Sequence, residues 1–157
     1  MSSPVESRQW LINWQLFNLM ISNYDSHGKN VSLFFDKQNA RFTPAYDLVN
    51  VAMFPQFKHG LAMAMGDEFE PHDIHAYQLA DFAETCEIDK KLLSRQLVGL
   101  ADKMLSQLAG HEFIEQLKQQ PYIGPEDIRY CEMLREHIVD RTEHLKAQAA
   151  DIPAIFV

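Results

Sequence analysis

The first fifty residues run in an order that constrains the fold: a capped apolar helix, a polar loop, two short β-prone runs and a lone acid. Ser3-Pro4-Val5-Glu6 is a capping-box signature with proline at the first helical position. Trp10, Trp14, Phe17 and Ile21 then recur at helical spacing, with Leu11 and Met20 beside them, and predict a helix from about Pro4 to Ile21. The polar loop Asn23-Tyr24-Asp25-Ser26-His27-Gly28-Lys29-Asn30 begins where that helix stops. Val31 to Phe35 and Ala40 to Phe42 read as two short strands around a turn from Asp36 to Asn39. Asp25 precedes this hairpin and Asp47 follows it, so the two acids can converge at one end.

Asp25, Asn30 and Asp47 together suit phosphoryl transfer. A hydroxyl nucleophile needs a carboxylate that orients it and accepts its proton. Magnesium needs hard oxygen ligands, which a carboxylate and a side-chain amide supply. Protein kinases carry this logic as D-x-x-x-x-N followed by a second metal-binding Asp. His27 and Lys29 add two cations in the same loop, apt for phosphate oxygens. A lone D-x-x-x-x-N is common in ordinary turns, because Asp and Asn hydrogen-bond their own backbone. The ordered context of helix, loop, hairpin and acid is what favours the functional reading.

Downstream, Val51 to Glu70 has a weak pattern with one short strand expected near Leu61 to Met65. Helices are expected from His72 to Cys86, from Asp89 past Leu108 with a break near Gly110, and from Glu126 to about Ala149. The chain therefore reads as mainly α with a small β-hairpin, one domain over residues 1–157, with the catalytic and metal-binding loops in 22–50 and a helical region over 72–150. Its 157 residues, 46% hydrophobic, suffice for one real core. A formal charge of −8 argues against broad binding to a nucleic-acid backbone. No apolar run approaches membrane-spanning length, and the first residues lack the regions of a signal peptide. Cys86 and Cys131 form no metal or redox spacing and read as buried thiols of a cytoplasmic protein.

Other candidates carry less. His72 and His75, near Asp67, Glu68, Glu70 and Asp73, share a helix face but match no strict ligand pattern, and acids at a helix start are expected from the macrodipole. His137 and His144 read as a solvated face, and Met53, Met63 and Met65 as core or lobe interface. No serine stands in a nucleophile-elbow sequence. The apolar end Ile152 to Val157 suits packing on the body or on a partner, with a frayed end as the alternative.

The run Asn23-x-Asp25-x-His27-x-Lys29-Asn30, followed by Phe42-Thr43-Pro44-Ala45-Tyr46-Asp47-Leu48-Val49, resembles the C-terminal half of the HipA family of bacterial serine/threonine kinase toxins. The likeness continues through Leu61-Ala62-Met63-Ala64-Met65-Gly66 into the helical tail. The resemblance implies a HipA-like, protein-kinase-like C-terminal lobe, with ATP and Mg2+ as cofactors. Asp25 would be the catalytic base, and Asn30 and Asp47 would hold magnesium bridging the ATP phosphates. His27, Gly28 and Lys29 would line the nucleotide side, with Lys29 neutralising phosphate or pairing with Asp25, and Tyr46 would pack beside Asp47. The resemblance also implies a helix-turn-helix, HipB-like antitoxin as partner and a protein substrate of the type of glutamyl-tRNA synthetase, whose phosphorylation promotes dormancy and persistence.

In that family the phosphate-covering loop and small-lobe lysine precede the catalytic loop by a long stretch. Here 24 residues precede Asp25, and the six glycines are scattered. The expectation is a large lobe without its N-terminal small lobe, inactive as a kinase alone. Surface that meets the small lobe would be uncovered, with Trp10, Trp14, Phe54 or Phe57 contributing to it. The alternative reading is a non-catalytic binding module that docks an antitoxin-like regulator or a separate small-lobe chain.

Overall fold

Ser3 starts the first helix by capping it: its hydroxyl accepts from the Val5 N–H at 3.3 Å, and Glu6 reaches back to the Ser3 N–H at 3.0 Å. The resulting α1 spans Pro4–Met20 in the computed structural model, which describes residues 3–36, 39–57, 60–110 and 112–157. Ile12, Leu16, Leu19 and Met20 carry its buried face into the core. The helix closes in a Schellman arrangement, with Asn23 N–H bonded to Asn18 O at 2.9 Å and Ser22 N–H to Leu19 O at 3.3 Å. Ser22 takes the left-handed position at φ 55°, usually a glycine's.

The expected hairpin forms, pairing β1 (Leu33–Phe35) with β2 (Ala40–Phe42) antiparallel with Phe34 opposite Arg41, and its first strand begins at Leu33 and not at Val31. A two-stranded ribbon is marginal by itself. Aromatic stacking fastens this one to α1: the Phe42 ring lies 4.5 Å from Trp10, which in turn stacks on Trp14 at 6.5 Å. That stack overturns part of the expectation of uncovered aromatics. Trp14 is buried at 7% exposure, Trp10 and Phe54 are half-buried, and only Phe57 of the four is exposed.

No strand forms over Leu61 to Met65. Leu61 N–H bonds Phe69 O and Ala62 N–H bonds Tyr24 O, while Met65 and Glu68 make a single bridge. Gly66, at φ 61°, turns the chain back too soon for a ladder to grow. The helix expected from His72 begins later. Pro71–Asp73 is a 3-10 turn, Ile74 is extended and fully buried, and α2 spans Ala76–Thr85.

Asp89 caps α3 (Lys90–Ala109) by accepting from Leu92 N–H at 2.8 Å, and Gly110 ends it. This helix is the centre of the body: it packs on α1, α2, α5 and the turn Ile152–Ala154. Leu93, Leu97 and Ala101, four residues apart, form its fully buried stripe. The short α4 (Glu112–Lys118) and the long α5 (Pro125–Gln148) complete the body, with Leu145 and Ala149 meeting Ile152 in the core. Ile152 is buried and Ile155 packs on the core, whereas Phe156 is exposed. Cys86 is exposed rather than buried, because it caps the C-terminus of α2, and Cys131 is half-buried. Among the described residues no helix is long and apolar enough to cross a membrane.

Gly66 is a position where a side chain is excluded twice. Its backbone is left-handed, and a Cβ there would lie 2.7 Å from Asp81 Oδ2 and 3.0 Å from Gln78 O. Gly66→Ala is expected to lower stability by about 2 kcal/mol, measured by urea denaturation.

Candidate active site

The end of α1 throws the chain directly into the polar loop. Asn23 lies just past the Schellman turn, Tyr24 is buried, and Asp25 emerges exposed. Tyr24, Asp25, Val51, Phe57, Gly60 and Ala62 line an open cavity of about 450 Å3. Asp25 has no hydrogen-bond or ion-pair partner among the described residues, so its carboxylate is available to a group entering that cavity.

Gly28–Asn30 forms a single 3-10 turn. Its geometry comes from Asn30, whose N–H bonds His27 O and whose Oδ1 accepts from His27 N–H, both at 2.9 Å. The buried Asn30 then donates its Nδ2 to Asp47 Oδ2 at 2.6 Å. The two residues expected to act together on a cation thus stand side by side, although 17 positions separate them. Asp47 has a left-handed backbone, φ 58°, a conformation that Asp tolerates better than most residues.

The remaining expected residues sit around this pair. Tyr46 donates its hydroxyl to Lys29 O at 3.0 Å and shares a hydrogen bond with Ser32 Oγ at 2.8 Å, which ties the 3-10 turn to the segment after the hairpin. Gly28 is exposed with nothing within 4 Å of a Cβ built on it, leaving its backbone open to approach. His27 is half-buried, and its Nδ1 is buried with no partner among the described residues. Lys29 is exposed and does not pair with Asp25: among the described residues the ion pairs are Lys90–Glu84, Lys118–Glu115 and Lys146–Asp102. Of the two roles the resemblance implies for Lys29, the pairing with Asp25 is not made in this structure.

A magnesium ion fits this donor set by its chemistry. Magnesium takes one or two protein oxygens and completes its shell with water and phosphate oxygens. Asp47 is exposed and has a second carboxylate oxygen, and Asn30 Oδ1 keeps one lone pair beyond its bond from His27. Among the described residues no three His, Cys, Asp or Glu side chains stand together as a metal site. His75 instead packs its ring against His144 at 5.3 Å.

Sequence reasoning missed the buried support of the loop. Asn18 and Asn23 are both buried, and Asn23 Nδ2 bonds Asn18 Oδ1 and Asp47 O, each at 2.8 Å. An amide on the apolar face of α1 was the available signal for Asn18. His137 had none: it lies 115 residues beyond Ser22, yet its Nε2 meets Ser22 Oγ at 2.9 Å. His137 and His144 are half-buried, not a solvated face, and His144 Nε2 contacts Ile74 O at 3.2 Å.

The body, hairpin and loop together are those of a kinase-like C-terminal lobe. The fold matches a chain of the Shewanella oneidensis MR-1 complex of HipA, HipB and operator DNA, with a TM-score of 0.88 and 32% identity, covering 98% of this chain and 35% of that one. Residues 1–111 match the HipA-like C-terminal domain, and the chain belongs to that family. It is 42% identical over 107 residues to the serine/threonine-protein kinase toxin HipA of Shewanella oneidensis, a match covering 68% of this chain and 25% of the relative. It is 29% identical over 99 residues to the putative kinase Y4mE of Sinorhizobium fredii, covering 63% and 24%. The chain spans about a quarter of the length of these curated relatives.

Burial lowers the His137 pKa below its ordinary value of 6.5, helped by the positive charge of Arg141 and by His72 and opposed by Asp140. The folded protein therefore binds this proton less tightly than the unfolded chain. Its contribution to stability is full above pH 6.5 and is lost as the pH falls from there through the lower folded value. Denaturation curves at several pH values are expected to show a smaller loss of stability on acidification in His137→Gln than in the parent chain.

Proposed function

We propose that this lobe supplies the catalytic base and the magnesium ligands of a HipA-type serine/threonine protein kinase. The observation that carries the reading is the 2.6 Å contact between Asn30 and Asp47, which closes the polar loop onto the segment after the hairpin, with Asp25 two residues beyond Asn23 on an open cavity. In this reading Asp25 holds the substrate hydroxyl and takes its proton as the oxygen attacks the γ-phosphorus of ATP. The bond from that phosphorus to the bridging oxygen breaks in line, and ADP leaves. Asn30 and Asp47 hold magnesium, which when bound neutralises charge on the phosphate oxygens. Lys29, with no ion-pair partner among the described residues, offers its ammonium to phosphate, and the open backbone at Gly28 and the His27 ring line the nucleotide side. Tyr46 keeps the turn at Lys29 in register through its bond to the Lys29 carbonyl.

The same family membership supports a HipB-like antitoxin as partner, since the matched Shewanella structure is a complex of HipA, HipB and operator DNA. The protein substrate is of the class implied by the family, a tRNA synthetase. These residues offer a base and metal ligands but no clustered glycines to cover phosphates. Transfer by this polypeptide alone is accordingly negligible, because positioning and electrostatics supply nearly all the acceleration in phosphoryl transfer. The exposed Phe34, Phe35, Leu48, Val49 and Phe57 favour a second reading in parallel, that this lobe docks a complementary chain or regulator.

Calorimetric titration with ATP and Mg2+ tests the site. Saturable, magnesium-dependent binding is expected, weakened at least about tenfold by Asp47→Ala and retained by Asp25→Ala. A folded chain that binds no Mg–ATP would move the docking reading ahead.

A further inference from the structure

We propose that Asn23 is a positioning residue for the Asp47 carboxylate, working as the middle member of a buried amide relay that starts at Trp14. The inference rests on the reading of Asp47 as a magnesium ligand for its functional consequence, and on geometry alone for the positioning itself.

The relay has a direction. Asn18, 1% exposed, gives its Nδ2 to Trp14 O at 2.8 Å, one helical turn back. That bond orients the amide so that its Oδ1 faces Asn23. Asn23, 4% exposed, donates its backbone N–H to Asn18 O at 2.9 Å and both Nδ2 hydrogens, one to Asn18 Oδ1 and one to Asp47 O. Its donors have no spare capacity. The acceptor at the far end is the carbonyl of a left-handed residue, φ 58°. With that carbonyl turned inward to Asn23, the Asp47 carboxylate is turned to Asn30, 2.6 Å away. Burying two amides beside an apolar core costs desolvation that their hydrogen bonds must offset. Here one of those bonds ends on the backbone carbonyl of an exposed residue, Asp47, and not on another core group.

Two properties separate this role from a merely structural one. The effect must follow the Asn23 donor and not overall stability, and it must be read at Asn30 and Asp47. Asn23→Asp keeps the shape and replaces the donor by oxygen, facing the Asp47 and Asn18 oxygens. Asn23→Ser is the second variant, too short to reach both partners, should the first fail to fold. Leu145→Ala, a core truncation on α5 remote from the relay in sequence, is the control for lost stability.

The experiment reads the Asn30 side-chain NH2 resonances by 15N NMR and Mg–ATP binding by calorimetry on the same chains. The expected result is that Asn23→Asp or Asn23→Ser moves the Asn30 resonances toward their position in Asp47→Ala and weakens Mg–ATP at least about tenfold, while Leu145→Ala changes neither. Asn30 resonances unchanged in a folded Asn23 variant overturn the proposal, as does wild-type Mg–ATP affinity in that variant. If the parent chain binds no Mg–ATP yet the resonances move as expected, the positioning stands and the magnesium reading fails.

Discussion

The way α1 ends is the constraint on which the rest of this molecule depends. A helix that buries Leu16, Leu19 and Met20 must leave the core within a few residues and still pair its last carbonyls. Ser22 accomplishes the turn in a left-handed conformation, fully buried, with its hydroxyl on His137 and its carbonyl accepting from Val51 N–H at 3.0 Å. A non-glycine residue in that conformation persists because surrounding bonds over-determine it. The same turn delivers Asn23 and Asp25 in succession, one inward and one outward.

Around that exit the structure divides its labour between buried polar groups and exposed acids. Asn18, Ser22, Asn23 and Asn30 are buried and bonded, whereas Asp25 and Asp47 reach solvent. Rigid support under an accessible carboxylate limits the reorganisation needed when a ligand arrives. The aromatic stack of Trp14, Trp10 and Phe42 does the equivalent for the hairpin, fixing where the chain returns after its excursion and hence where Tyr46 and Asp47 fall.

Much of this was legible in the residues themselves. Local chemistry announced the capping box at Ser3, the Asp89 cap, the stop at Gly110 and the hairpin, because each depends on neighbours within a few positions. The hairpin suggested that Asp25 and Asp47 converge at one end, whereas the contact the structure shows joins Asn30 to Asp47. What escaped notice depends on distant packing. The exposure of Cys86, the burial of Trp14 and the contact of His137 with Ser22 are decided by tertiary placement, which no local spacing reports. The strand expected near Leu61 failed for a nearer reason, since the run is cut short by the turn at Gly66.

The bond between Ser22 and His137 joins the first helix to the last across 115 residues. On a ribosome moving at about 5–20 residues per second, that interval lasts roughly 6–23 s. For most of it the loop has been synthesised but its anchor on α5 has not been made. The turn at Ser22 therefore gains this contact only once α5 has been made, so a nascent lobe passes through a period with its polar loop synthesised and that anchor still absent.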